Sequence, residues 1–259
     1  MKRNNLEMMV LTALMTGLVA VATASIVIPI PFTSGYIHPG DSMIFLAALI
    51  LGWKRGAVAA GLGAAFADMF LGFVFWAPWT LFIKGCMAAI VGLVVSKCAG
   101  KRHRMLIACG ATVIIWLIFN AVVHGVILYD TTSGVPAATE AVQSVDPSAL
   151  GSAVRSIQSK LMATALLIPL ALLATALLLR KKANIVVPPE QIIGMTSGGL
   201  FMVFGYYLAG GMIYGNFTIP ALEIPSNMIQ FTGGFLIAAL ISAALKKTVF
   251  KKYFYYSSD

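Results

Sequence analysis

Long apolar runs, separated by short polar stretches, follow one another along the whole chain. A helix that spans a membrane needs about 20 mostly apolar residues. The pattern predicts eight helical segments, at roughly 7–31, 41–52, 56–75, 78–98, 105–128, 151–179, 192–214 and 226–245. The segment 41–52 is shorter than a bilayer, so it is either a half-buried helix or one that extends into the neighbouring loop. The predicted fold class is therefore an all-α, polytopic membrane helix bundle with about eight spans.

Composition excludes a water-soluble globular enzyme. Of the 259 residues, 59% are apolar and only 10% are charged, whereas a soluble domain carries about 25% charged residues. The mean hydropathy of +0.91 agrees. Cys86, Cys98 and Cys109 lie in or beside apolar stretches, with no C-x-x-C pair and no nearby His at the spacing of metal ligands. They are therefore interpreted as small hydrophobic residues and not as a metal site or a disulfide framework.

The positions of the basic residues explain the net charge of +9 and predict the orientation. Of 18 basic residues, 15 fall on alternate connections and both ends of the chain: Lys2, Arg3, Lys54, Arg55, Lys97, Lys101, Arg102, Arg104, 180–182, Lys246, Lys247, Lys251 and Lys252. The other connections contain no Lys or Arg. The positive-inside rule then places both termini in the cytoplasm. The charge is therefore a topology signal, and nucleic acid is not an expected partner.

Two stretches allow more than one interpretation. Residues 1–24 have a basic start and an A-x-A-like end, as in a cleaved signal peptide, but the apolar run continues beyond them and Glu7 interrupts its start. A retained span is the favoured interpretation. The longest polar stretch, 129–150, is predicted to be an outside loop, either an ordinary connector or a lid.

Two charged residues within the apolar segments indicate a polar bundle interior, because charges in hydrocarbon are costly. Asp68 lies on a stripe of small residues with a four-residue repeat, and Lys84 begins a matching stripe on the next segment. Small residues allow membrane helices to pack closely. At a rise of 1.5 Å per residue both charges lie about 10 Å below the outer surface. They are therefore expected at one depth on adjacent helices, where they can pair.

Further polar and aromatic residues are predicted at the same depth. They are His38 and Asp41 in a G-Y-x-H-x-G-D stretch, Trp76 and Trp79 at the outer boundary, Tyr206 and Tyr207, and Asn227 and Gln230. Their convergence predicts a cavity that opens to the outside and holds a small solute with hydrogen-bonding edges. For Trp76 and Trp79, an interfacial aromatic belt is the alternative interpretation.

Sequence motifs for nucleotide hydrolysis and catalysis are missing. There is no G-x-x-x-x-G-K-[ST] phosphate loop, no complete dinucleotide fingerprint, no H-E-x-x-H and no G-x-S-x-G. The chain is therefore predicted not to be an enzyme and to need neither a cofactor nor a metal. Driven uptake then requires an ion gradient or a partner ATPase. A solitary ion-coupled secondary transporter and an intramembrane enzyme for lipid-like substrates remain alternatives.

An ordered series of motifs carries a resemblance to a known family. Residues 35–94 contain G-Y-x-H-x-G-D, then L-G-x-x-x-G, an A-D pair and F-I-x-K-G, and residues 198–211 and 224–234 continue the pattern. The chain resembles the substrate-binding S components of energy-coupling factor (ECF) vitamin transporters, in the branch of hydroxymethylpyrimidine- and pyridoxine-type carriers. The match places His38, Asp41, Asp68 and Lys84 on family motif positions, and extends to Asn227 and Gln230.

Two departures from the family pattern bear on the fold and the solute. Gly210 stands where the pattern usually has an acid, so a ligand contact is lost or moved. The family core has six helices, so the chain is interpreted as one membrane domain, with a core at 1–100 and 191–259 and an inserted helical pair at 101–190.

The resemblance implies a binding subunit without catalysis, in a bacterial plasma membrane. It captures a small vitamin-like solute and associates with a membrane-embedded T subunit and two ATPases. Small residues on the first helix are implied to dock the T subunit: Ala13, Gly17, Ala20 and Ala24. Packing within the chain is the alternative role for these four residues.

Overall fold

The computed structural model describes residues 4–31, 33, 35–132, 147–178, 187–248 and 253–254. The described helices are α1 (Asn5–Ser25), α2 (Gly40–Phe70), α3 (Ala77–Cys98), α4 (Arg102–Thr132), α5 (Pro147–Leu178), α6 (Pro189–Tyr214), a 3₁₀ turn (Pro220–Glu223) and α7 (Ile224–Leu245). All seven α-helices include stretches long and apolar enough to cross a membrane. The predicted all-α membrane bundle is confirmed. Most of the outside loop, at 133–146, and the basic residues at 2–3, 180–182 and 251–252 lie outside the described part.

The second and third predicted segments are the two arms of α2. Gly52 has φ 77° and ψ 178°, which interrupts the helix between arms 40–51 and 53–70. A Cβ built on Gly56 would lie 2.9 Å from the Cα of Ala48, although eight residues of straight helix span about 12 Å. The chain therefore folds back at Gly52, and the short arm packs against the long one.

The first predicted segment is shorter than its apolar run. Helix α1 ends at Ser25, because Pro29 and Pro31 follow and proline cannot continue a helix. Within the rest of this apolar run, Ile28–Pro29 forms strand β1, which pairs antiparallel with β2 (Tyr36–Ile37). This hairpin lies between α1 and α2 at one end of the bundle.

Neighbouring helices approach one another closely at glycines. A Cβ on Gly61 of α2 would lie 2.6 Å from the Leu81 carbonyl oxygen of α3. A Cβ on Gly198 of α6 would lie 2.8 Å from the Met87 carbonyl oxygen. These helices pack too tightly for a side chain at either glycine.

Helices α4 and α5 form a pair beside the other six helical rods. The Trp116 indole of α4 donates to the Thr164 carbonyl oxygen of α5 at 3.1 Å. The pair meets the rest of the bundle through the hydroxyls of Thr112 and Ser197, which lie 2.8 Å apart. With the two arms of α2 counted separately, the described part of the chain has eight helical segments, the number predicted from the sequence. The interpretation of 101–190 as an insertion stays a prediction.

Candidate functional site

A cavity opens at the end of the bundle where α2 and the hairpin meet the first turns of α3 and α7. It has about 390 Å³ of empty volume, counted to its mouth. The lining residues are Ile30, Gly35, Tyr36, His38, Asp68, Trp76, Thr80, Tyr206, Glu223, Asn227 and Gln230. They come from five helices or turns and the hairpin, so the cavity exists only in the folded bundle.

Asp68 presents an unused hydrogen-bond acceptor to this cavity. Its side chain is only 4% exposed, and its Oδ1 accepts a hydrogen bond of 2.5 Å from the Tyr36 hydroxyl. Its Oδ2 is buried and has no hydrogen-bond partner among the residues that the structure describes. Since an unsatisfied buried polar group is costly, a donor on a bound solute is the natural partner for this oxygen.

Lys84 forms an ion pair with Asp41 beneath the cavity, and not with Asp68 as expected from depth alone. Its Nζ lies 2.5 Å from Asp41 Oδ1, and both side chains are fully buried. The Gln230 amide donates to Asp41 Oδ2 at 3.0 Å and accepts from the His38 backbone N–H at 3.1 Å. Both Asp41 oxygens are therefore satisfied by the protein. Lys84 and Asp41 support the lining residues from below and do not belong to the cavity surface.

His38 is held as a neutral imidazole. Its Nδ1 accepts a hydrogen bond from the Gly40 backbone N–H at 3.1 Å, which a protonated ring could not do. Burial, and next the charge of Lys84, lower the pKa of His38 from 6.5 to about 3, against an opposing effect of Asp41. The ring therefore carries no charge at physiological pH.

Acidification is expected to destabilise the protein through His38. Between pH 6.5 and 3 the unfolded chain binds a proton that the folded His38 does not, so stability falls as the pH falls through this window. From pH 7.5 to 5.5 the loss is about 1.4 kcal/mol. Unfolding in detergent at both pH values, compared between the unchanged protein and His38→Asn, which keeps an acceptor for Gly40, measures it, because the other titrating groups are common to both proteins. An unchanged pH dependence in His38→Asn would contradict the assignment.

Aromatic rings form the walls of the cavity. Tyr36 stacks on Phe73 with ring centroids 4.5 Å apart. Across the cavity, Trp76 lies 5.9 Å from the Tyr206 ring, and the Tyr206 hydroxyl donates to Thr80 at 3.2 Å. Burial and the neighbouring Asp68 raise the pKa of the Tyr36 hydroxyl, which remains a donor. These walls suit a flat solute that stacks on one face and hydrogen-bonds at its edges.

Glu223 is a second acid in the cavity, and sequence reasoning missed it. It is 3% exposed, and its Oε1 accepts a hydrogen bond from the Tyr214 hydroxyl at 3.2 Å. A Cβ on Gly210 would lie 2.7 Å from Pro220, on the turn that carries Glu223. Gly210 is thus packed against the turn that carries Glu223. The sequence did contain an indication of this acid, because Glu223 is the one acid in the apolar connection 215–225.

The predicted site residues fall into three groups. His38, Asp68, Tyr206, Asn227 and Gln230 line the cavity, and Asp41 and Lys84 lie beneath it. Trp79 is 36% exposed and outside the lining, and Tyr207 packs against Phe119 and Phe217. Tyr36, Thr80 and Glu223 were not predicted, and Trp76 was placed only at the boundary. Within the described ranges, no cluster of three His, Cys, Asp or Glu residues is arranged for a metal.

The fold defines a multi-pass membrane protein with a cavity at one end of the bundle. The sequence model of the family described as "ECF-type riboflavin transporter, S component" matches residues 3–172. The chain belongs to this family of transporter S components. The match includes α4 and most of α5, and it ends before Tyr206, Glu223, Asn227 and Gln230.

One curated relative shares part of the sequence. It is a Pyrococcus woesei protein described as "Uncharacterized protein in gap 3'region", 46% identical over 74 residues, which are 29% of this chain and 49% of the relative. The chain thus spans about half the length of the curated relative that it matches. No solved structure matches the chain.

Proposed function

We propose that this chain is the solute-binding subunit of an ECF-type importer and captures a small, aromatic, vitamin-like heterocycle from outside the cell membrane. The observation that carries the proposal is the buried Oδ2 of Asp68, which has no hydrogen-bond partner among the described residues and lies in a cavity with aromatic walls. Such a site offers a stacking surface and a fixed acceptor, which together orient a ring with N–H or O–H groups. The cavity lies at the end away from Lys54, Lys97 and Lys246, which the positive-inside rule places in the cytoplasm.

Riboflavin is the first solute to test, because the family description names it. The second class of solute to test is a hydroxymethylpyrimidine or a pyridoxine-type compound, because residues 35–94 and 224–234 resemble the motifs of the carriers for these compounds. Both classes have flat rings with donors at their edges, and both suit walls made by Tyr36, Trp76 and Tyr206. A bacterial source stays a prediction.

We propose that ATP hydrolysis by two ATPase subunits drives uptake, and that a membrane-embedded T subunit connects them to this chain. Ala13, Gly17 and Ala24 are exposed on α1, and Ala20 is partly exposed. A Cβ on Gly17 would meet no atom within 4 Å, so packing within the chain does not require glycine there. The stripe is therefore available to a helix of another subunit, which could approach closely.

Solute binding by the purified chain tests the proposal. Riboflavin binding is followed by the quenching of its fluorescence, and pyridoxine and hydroxymethylpyrimidine binding by calorimetry. Asp68→Asn should weaken binding about 10-fold or more, because hydrogen bonds to a charged group contribute about 1.5–3 kcal/mol. Glu7→Gln, an exposed acid at the start of α1, is the matched control and should bind normally. Absence of binding for all three compounds would contradict the proposal.

A further inference from the structure

A second cavity lies between α3, α4 and α6. It has about 550 Å³ of empty volume, counted to its mouth, and is larger than the first cavity. Each of the three helices contributes to its lining, with Ile90 from α3, Trp116 from α4 and Leu200 from α6. Among the described residues, the two cavities share none of their lining. The second cavity is therefore a separate site.

Two contacts between α4 and α6 bound this cavity at its two ends. At one end, the hydroxyls of Thr112 and Ser197 lie 2.8 Å apart. At the other end, the rings of Phe119 and Phe204 meet edge to face, with centroids 5.6 Å apart. All four residues line the cavity. The contacts are seven residues apart on both helices, so the cavity is a slot about 10 Å long at the helical rise.

The slot lies at the depth of the bilayer interior. Thr112 and Phe119 are about 15 and 26 Å from Arg102, where α4 begins, at 1.5 Å per residue. Ser197 and Phe204 of α6 contact them and so lie at the same two levels. Because the hydrocarbon core of a bilayer is about 30 Å thick, the slot is surrounded by acyl chains and not by headgroups or water.

The mouth of the slot opens sideways, toward the bilayer. Ile115 and Phe204 belong to its lining and are 65% and 37% exposed. Side chains exposed at this depth face lipid. A molecule that enters the slot therefore comes from the hydrocarbon, and it does not have to pass through the solute cavity.

The chemistry of the walls suits an apolar occupant. The Trp116 indole donates to the Thr164 carbonyl oxygen at 3.1 Å. The hydroxyls of Thr112 and Ser197 contact each other, and each also contacts the carbonyl oxygen four residues earlier on its own helix. The polar side chains of the lining are thus partnered within the protein. An apolar cavity of this kind stays dry and takes up apolar molecules.

We propose that one acyl chain of a bilayer phospholipid occupies this slot and fills the gap between α4 and the helices α3 and α6. The depth suits the distal half of a chain whose headgroup stays at the membrane surface, and the lateral mouth lets the chain enter. An occupant restores the dispersion contacts that the lining of a void lacks. The inference goes beyond the proposed function, because it requires neither the solute nor a partner subunit.

Trp116 reports on the occupant. It is only 2% exposed, so its ring is shielded from lipids that surround the outside of the bundle. Trp53 lies beside the bend of α2, and Trp76 and Trp79 lie at the start of α3. Bromine atoms on the distal half of an acyl chain are therefore at the depth of Trp116 and not of the other three tryptophans.

The purified full chain is reconstituted into bilayers of phosphatidylcholine with or without bromine on the distal half of the acyl chains. Bromine quenches tryptophan fluorescence at close contact, so the brominated lipid should quench part of the emission, and Trp116→Phe should remove most of this quenching. Absence of quenching, or the same quenching in a folded Trp116→Phe protein, would overturn the proposal.

A matched pair of variants separates a chain in the slot from lipid outside the bundle. Ile90→Phe narrows the slot, whereas Ile118→Phe makes the same change on α4 at a residue that is 59% exposed and outside the lining. Quenching should fall at least about twofold in Ile90→Phe, because a filled slot has no room for the chain, and should not change in Ile118→Phe. Thermal unfolding confirms that each variant is folded, and Leu200→Phe decides if Ile90→Phe does not fold. Equal quenching in the folded slot variant and in Ile118→Phe would overturn the proposal.

Discussion

Lys84→Met is expected to lower the free energy of unfolding by about 3–5 kcal/mol, the usual cost of breaking a buried ion pair from one side. Asp41 would remain fully buried with Gln230 as its remaining hydrogen-bond partner among the described side chains. An uncompensated charge in that position must be neutralised by protonation, hydrated or exposed, and each of these costs free energy. Unfolding in mixed detergent, followed by intrinsic fluorescence, measures the loss.

The double variant distinguishes the ion pair from simple packing. Asp41→Asn combined with Lys84→Met removes both charges, so it should be less destabilised than the sum of the single variants. Lys54→Met is the matched control, since Lys54 is exposed next to the bend of α2 at Gly52, and its effect should stay within about 0.5 kcal/mol. Additive losses in the double variant would show that Asp41 and Lys84 are not energetically coupled.

Apolar run length was sufficient to predict an all-α membrane bundle, because it is a local property of the sequence. The partner of Lys84 was not predictable in this way. The rise per residue gave similar depths for Asp68 and Lys84, but it gives no direction around the helix axis. The fold-back at Gly52 brings Asp41 to the same end as Asp68, and a positive φ at one glycine has no signature in the apolar pattern.

Helix geometry also explains which predicted aromatic residues reach the cavity. Successive residues of a helix point about 100° apart, so Tyr206 and Tyr207 cannot both face one cavity. Tyr206 bonds to Thr80, and Tyr207 packs against Phe119 on the opposite side. Tyr36 was missed for a different reason, because it lies in the hairpin, whose position depends on tertiary contacts and not on helical periodicity.

Gly17→Leu and Ala24→Leu are expected to reduce uptake by the assembled importer to background while leaving solute binding by the isolated chain within about twofold, by the packing argument for small residues. Both positions are exposed on α1, and a Cβ at Gly17 meets nothing within 4 Å. A larger side chain therefore leaves the chain's own packing intact and blocks only the close approach of a partner helix. Co-purification with a T subunit and ATPases, and ATP-driven uptake into proteoliposomes, measure the effect.

Gly110→Leu provides the matched control, because Gly110 is exposed on α4 and a Cβ there also meets no atom within 4 Å. It should assemble and transport normally. Normal uptake by Gly17→Leu and Ala24→Leu would show that the partner docks elsewhere. Uptake by the chain alone in liposomes, dependent on pH or sodium and abolished by Asp68→Asn, would instead support an ion-coupled transporter. In that case Asp68 would act as a coupling group, because a carrier without ATPase partners must draw its energy from an ion that binds within its own membrane segments.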